Sequence, residues 1–389
     1  MFYVSEQRNI IDIYHPAAQE YHSLLNSIGE FCEEEILHGA KRIDQEEIFP
    51  ADNLVETTKR GLFALPFPEE YNGGGKPFPV YIAALEMLAK ACANTALHVS
   101  IQGMICEGIR LFGDDRMKMR LLKEKGLVEG RSLIAFALTE PCCGSDAKSI
   151  QSRAVQMGDR YVLNGSKMMI TNPGESDYAL VFAATRRGIS AFVVSTAEHG
   201  FKVMKTMPKL GFRGNQLAAI QLEECEVARE DLLGEEGRGL EYAKHILNVG
   251  RITIAAIGTG IAQAAFEKSV NYSKKRKAFG ESISQFQLVQ EKLSDMATQI
   301  SAARLLTYYA GFLKDQGKDI ALAASQAKLF SSESAIKVCD HAIQIHGGYG
   351  YTDAYDVHRH WRDARLLTIG EGTSEMLKLL IAHLALKDE

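Results

Sequence analysis

The hydrophobic period of this chain changes twice, and those two changes limit the architectures open to it. Up to about Arg131 the pattern is helical: Ile28, Phe31 and Ile36, then Leu54, Thr58 and Leu62, then Leu85, Leu88 and Cys92 recur at three- and four-residue steps. From Ser132 to about Arg238 the apolar runs become short and rich in β-branched and aromatic residues, at 133–138, 161–163, 178–182, 190–194 and 218–222, with turn residues between them. From about Gly239 the helical spacing returns. Phe286, Val289, Leu293, Met296, Ile300 and Ala303 form one seam, and Leu322, Leu329, Ile336 and Ile343 repeat every seven residues. The expectation is an α+β multidomain chain, with an N-terminal α-helical domain over 1–131, a middle β-barrel or sandwich over 132–238 and a C-terminal four-helix bundle over 239–389.

Two local signals refine this. Asn164-Gly165 reads as a two-residue hairpin turn, which would put 167–172 on the returning strand with Thr171 near its end. Gly73-Gly74-Gly75 follows no strand and precedes Pro77, so it reads as a surface turn rather than a phosphate cradle.

Composition excludes several function classes. The 389 residues, 46% hydrophobic and 24% charged, are those of a soluble globular protein, and a net charge of −5 opposes a dedicated nucleic-acid binder. No apolar run approaches the length of a membrane span, and residues 1–8 lack the pattern of a signal or transit peptide. The expected location is therefore the bacterial cytoplasm, or the mitochondrial matrix after loss of a presequence. Cysteines at 32, 92, 106, 142, 143, 225 and 339 are odd in number and scattered, which points to reduced buried thiols, with Cys142-Cys143 filling space.

Chemistry concentrates near the C-terminus. Glu371 stands between Gly370 and Gly372, just before an amphipathic helix that Thr373 or Ser374 would cap. The bare backbone on either side leaves room for a substrate at a catalytic carboxylate, although an acidic residue is also ordinary in a first helical turn. His341, His346, His358 and His360 lack metal-site spacing, so no metal is expected.

Three further segments, Phe136 to Ala147, Gly165 to Asn172 and Gln344 to Tyr351, precede Glu371 in a fixed order. With them the chain resembles the FAD-dependent acyl-CoA dehydrogenases over nearly its whole length. The resemblance implies FAD in a cleft between the β domain and the C-terminal bundle. Phe136, Leu138 and Thr139 would line the ring edge, Ser145 would bond the pyrophosphate and Thr171 would meet N5, while Met169 stands where the family often has an aromatic residue. Arg276 would reach the pyrophosphate of a neighbouring subunit's FAD, Phe279 and Gln287 would flank the adenosine, and Gln344 with Gly347 and Gly348 would add a second pyrophosphate contact. Thr373 and Glu375 would complete the adenine end. Lys274 and Lys275 also read as a solvated helix end, and Thr139 by itself as an ordinary strand threonine.

The same resemblance implies an acyl-CoA substrate contacted by Ser145, Arg251, Glu371 and Gly372. Glu371 would take the α-proton while the β-hydride goes to flavin N5, giving a trans-2,3-enoyl-CoA. Electrons would pass to an electron-transfer flavoprotein from a homotetramer built as a dimer of dimers. Some relatives carry the base near residue 250, and Gly250 there leaves Glu371 as the candidate. Arg251 either orients Glu371 or forms a surface ion pair. An oxidase returning electrons to oxygen is one alternative within the fold, and a non-enzymatic or nucleic-acid-associated relative of the fold is the alternative of a different class. The pocket floor would come from 96–111 and 239–257, where His98, Glu107 and Arg110 either face solvent or recognise a polar acyl tail.

Overall fold

The computed structural model describes residues 18–386, so the leaderless reading of residues 1–8 lies outside the described residues. The helical opening comprises α1 (His22–Phe31), α2 (Ala40–Glu46), α3 (Ala51–Lys59), α4 (Phe78–Ala91) and α5 (Ala93–Phe112). Seven strands follow: β1 (Ile134–Ala137), β2 (Arg153–Met157), β3 (Arg160–Thr171), β4 (Tyr178–Thr185), β5 (Gly188–Ser195), β6 (Phe201–Val203) and β7 (Leu217–Ala228). Then come α6 (Gly239–Lys275), the short hairpin β8 (Lys277–Ala278) and β9 (Glu281–Ser282), α7 (Gln287–Asp315), α8 (Ala321–His346), α9 (Val357–Leu367) and α10 (Ser374–Ala385). The helical, β, helical order expected from the period changes is the observed one.

The strands form one mixed sheet in the order β1-β4-β2-β3-β7-β6, with β5 paired to β4. It encloses its own core, including Leu163, Ile170, Val181, Phe192, Ile220 and Cys225. Asn164-Gly165 is not a turn. β3 runs straight through it, the register against β7 slips there, and Gly165 adopts φ 150. A Cβ at Gly165 would stand 2.3 Å from the Ser152 hydroxyl, so the glycine admits a neighbouring segment, while the Asn164 amide bonds Glu224 on β7. The real hairpin closes at Gly158-Asp159, where Gly158 has φ 65. The glycines at 73–75 follow a turn at left-handed Asn72 and run back over 64–67, with the amides of Gly74, Gly75 and Lys76 bonded to the carbonyls of Ala64, Phe67 and Leu65.

In the C-terminal bundle Met296, Ile300 and Ala303 of the α7 seam are buried. The seven-residue repeat on α8 is not a core seam: Leu322 is exposed and Leu329, Ile336 and Ile343 are half-buried. α8 buries small residues instead, among them Ala324, Ala327, Ser331, Ala335 and Ala342, which lets α6 approach so closely that a Cβ at Gly258 would lie 2.6 Å from Ser331 Oγ. A fully buried ion pair, Arg304 to Glu86 at 2.7 Å, joins α7 to α4, and Arg304 also donates to Gln263 of α6. Among the described residues α6 alone is long and apolar enough to cross a membrane, by length and composition only, and 89% of its apolar window is buried within this fold.

Candidate active site

α9 ends in the turn Gly370-Glu371-Gly372, and Thr373 caps α10 by accepting the Met376 amide at 3.3 Å. Glu371 is left-handed at φ 54 and Gly372 follows at φ 101. This turn aims the Glu371 carboxylate at α6, where Gly250 presents no side chain: a Cβ there would be 2.3 Å from Glu371 Oε2 and 2.6 Å from Met104 Sδ. Oε2 is buried and has no hydrogen-bond partner among the described residues. Burial pushes the Glu371 carboxyl up to about 7, against the opposing pull of Lys328 and Arg251.

Arg251 lies beside the turn, its Nη2 placed 3.6 Å from where a Cβ on Gly372 would be. Its hydrogen bonds go to Asn248 Oδ1 at 2.7 Å and Ser325 Oγ at 3.5 Å, and no bond joins it to Glu371. Its Nε is buried without a partner, and burial lowers its pKa while the Glu371 charge works the other way. Lys328 of α8 completes the cluster and escaped the sequence reading. Its ammonium is fully buried and donates to the Gly372 carbonyl at 2.6 Å. The available signal was a charged residue on the small-residue stripe of α8, between Ala324 and Ser331, where a solvated lysine has no place.

The second group of expected residues lies on the sheet. Phe136 is in β1, against Phe182 with ring centroids 5.2 Å apart, and Leu138 and Thr139 continue beyond the strand. Thr139 is tied to β3 through its carbonyl, which accepts the Met168 amide at 2.9 Å. Thr171 ends β3. A register shift between Lys167 and Ile170 puts Met169 at φ 57 and leaves it 55% exposed. Beneath this strand pair Lys167 is buried, donating to Glu140 at 2.7 Å and to the Leu138 carbonyl at 3.3 Å. Glu140 also accepts the amides of Gln151 and Ser152, so one carboxylate gathers the loop that carries exposed Ser145.

Cys142 and Cys143 are not both interior space-fillers. Cys143 is buried, with its thiol pushed up to about 11 by burial, while Cys142 is exposed. Their sulfurs are 3.8 Å apart, and Glu140 with the two cysteines is the one group among the described residues with metal-ligand proximity, although its carboxylate is already engaged by Lys167. His98 and Glu107 are internal rather than solvent-facing. His98 Nδ1 meets the Asn172 amide at 2.9 Å, and Glu107 pairs with Arg110 and Lys314.

The third group lies where α6 ends and α7 begins, beside the end of α8. Arg276, Phe279, Gln287, Gln344, Gly347 and Gly348 are all exposed, Phe279 at 98%. A Cβ on Gly347 or Gly348 would meet nothing within 4 Å, so the space beside them is open. Among the described residues no hydrogen bond, ion pair or ring contact joins this group to the one around Thr139, Thr171 and Glu371.

Known proteins resemble this chain over most of its length. Residues 18–127, 135–225 and 237–386 match the family models described as the N-terminal, middle and C-terminal domains of acyl-CoA dehydrogenase. The human mitochondrial short-chain specific acyl-CoA dehydrogenase is 40% identical over 370 residues, covering 94% of this chain and 89% of its own. Butyryl-CoA dehydrogenase from Megasphaera elsdenii superimposes with a TM-score of 0.91 at 38% identity, covering 94% of this chain and 97% of that one. A structure reported as the electron transferring flavoprotein of Acidaminococcus fermentans contains a chain that aligns with a TM-score of 0.92 at 39% identity, over 94% of this chain and 97% of that chain. The chain belongs to the acyl-CoA dehydrogenase family.

It is accordingly an enzyme of acyl-CoA dehydrogenation, and its cofactor is FAD. The residues present fit that group. The space at Gly347 and Gly348 is open to a pyrophosphate, the Phe279 ring is 98% exposed, the exposed Arg276 guanidinium stands over the Tyr349 ring at 5.9 Å from its centroid, and the buried Glu371 Oε2 is left for a reacting group.

Proposed function

We propose that this enzyme converts an acyl-CoA thioester to the trans-2,3-enoyl-CoA with Glu371 as the base that removes the α-proton. The observation that carries this reading is the buried Glu371 Oε2, unpartnered and aimed at the bare backbone of Gly250. A carboxyl raised to about 7 is half-ionised near neutrality and basic enough to take a proton from a weak carbon acid. The proton is received and held at Oε2. The amide N–H of Glu371 would hold the thioester carbonyl, placing base and enolate stabilisation on one residue. Arg251 and Lys328 supply positive charge beside the carboxylate, and Met104 helps to exclude water from it. When bound, FAD supplies the hydride acceptor for the β-carbon.

In this reading Phe136, Leu138, Thr139, Met169 and Thr171 hold the flavin ring, Ser145 the pyrophosphate, and Thr373 and Glu375 the adenine end. Arg276, Phe279, Gln287, Gln344, Gly347 and Gly348 hold the FAD of a neighbouring copy, which is supported by the separation of the two residue groups. Ser145, Arg251, Glu371 and Gly372 contact the substrate. A homotetramer is supported by apolar side chains left outside the bundle core, with Leu305 and Tyr309 each 43% exposed and Leu379 65% exposed. The names of the relatives favour a short acyl chain and an electron-transfer flavoprotein as acceptor.

The test is Glu371→Gln, which keeps the side-chain shape and the amide but cannot accept the proton. Anaerobic stopped-flow absorbance with butyryl-CoA should show FAD retained and flavin bleaching slowed by about a thousandfold or more. Bleaching at the parental rate would remove Glu371 from the role.

A further inference from the structure

The turn that carries Glu371 is closed by its own backbone, the Ser374 amide donating to the Thr368 carbonyl at 3.1 Å, but that bond does not fix it against the bundle. Left-handed backbone is unfavourable at a non-glycine residue because its Cβ crowds the following carbonyl oxygen, and here it is followed at once by a second residue of positive φ. The bond that ties this turn to the bundle comes from Lys328, whose ammonium donates to the Gly372 carbonyl at 2.6 Å. A buried ammonium needs a counter-charge, and among the described residues no carboxylate lies within ion-pair distance of Lys328. The charged groups that face it are Glu371 on its own turn, Arg251 from α6 and Glu375 from α10.

We propose that Lys328 is a positioning residue for Glu371: it fixes the Gly372 carbonyl, holds the left-handed turn that aims the carboxylate at Gly250, and provides the cation against which that carboxylate ionises. The proposal rests on the reading of Glu371 as the base. Two observations beyond the hydrogen bond agree with it. Lys328 is the leading influence that pulls the Glu371 carboxyl back down against burial, ahead of Arg251. Burial also lowers Lys328, to about 8, while the Glu371 charge holds it up, so the charge on each group favours the charge on the other.

Two substitutions separate the hydrogen bond from the charge. In Lys328→Gln the amide can still donate to the Gly372 carbonyl but the charge is gone; in Lys328→Met both are gone. With FAD-loaded enzyme, the acidic limb of the kcat/KM profile should move up by about one pH unit in both variants. Only the methionine variant should also lose kcat, by about tenfold to a hundredfold, as the turn relaxes. An unmoved acidic limb in the glutamine variant would overturn the proposal. If neither variant folds, nitrogen-15 lysine resonances of the parent and of Glu371→Gln decide: the Lys328 titration should fall to lower pH when its anionic partner is removed, and an unchanged titration would refute the coupling. Failure here leaves the base assignment standing, because that assignment falls only if Glu371→Gln still reduces flavin.

Discussion

Gly250 and Glu371 occupy each other's space: the carboxylate stands where the side chain of residue 250 would be, with Oε2 2.3 Å from the Cβ position. A carboxylate borne by residue 250 and one borne by this turn would therefore reach the same location from two elements. A single carboxylate fits it.

The first prediction follows directly. In Gly250→Ala the new methyl group meets the ends of two flexible side chains, Glu371 and Met104, rather than backbone, so the fold should survive while the carboxylate is displaced. Flavin content and thermal stability should stay near parental, and anaerobic flavin reduction should slow by about a hundredfold, the scale expected for an ångström of misplacement. Parental reduction rates would mean that Glu371 works from another rotamer.

The raised carboxyl of Glu371 sets a pH dependence with a definite sign. The folded state holds this proton up to about 7, whereas an unfolded glutamate releases it near 4.5. The folded form binds more protons between these values, so this group's contribution to stability is present below 4.5 and is lost as pH rises through 7. The stability of Glu371→Gln relative to the parent should therefore improve from pH 5 to pH 8, as read by denaturant midpoints. The kcat/KM profile should show an acidic limb near pH 7.

Lys167 and Glu140 form a buried pair, with side chains 0% and 2% exposed. Burial works to raise the Glu140 carboxyl, but Lys167 and the Gln151 and Ser152 hydrogen bonds outweigh it and hold it low. Lys167→Met strands a buried carboxylate and should lower stability by about 3–5 kcal/mol in chemical denaturation, with much of that recovered in the double variant with Glu140→Gln. Additive losses would show that the two residues act independently.

Arg276 links cofactor to assembly in the proposed arrangement. Arg276→Ala should release FAD on gel filtration and shift the protein toward smaller species, with thermal stability regained on adding FAD because the ligand binds only the native state. A parent enzyme that is monomeric with full FAD would contradict this.

Much of this architecture was legible in the chain, because burying one face of a helix or strand writes its period into the residues: the change from helical to alternating spacing and back marks where sheet replaces helix. The Glu371 turn was legible too, since two glycines around a carboxylate before a cap are a local signal. Register and contact were not. Asn164-Gly165 has the chemistry of a turn, and only the packing of Ser152 and β7 against it makes it part of a strand. Leu322, Leu329, Ile336 and Ile343 have the spacing of a core seam, but α6 lies against the alanines and serines on another face of the same helix. Lys328 reads as one lysine among many until α8, α6 and the Glu371 turn close around it. Sequence spacing determines which face of an element is apolar, while which face is covered, and which charge is trapped beneath the cover, depends on neighbours that are remote in the chain.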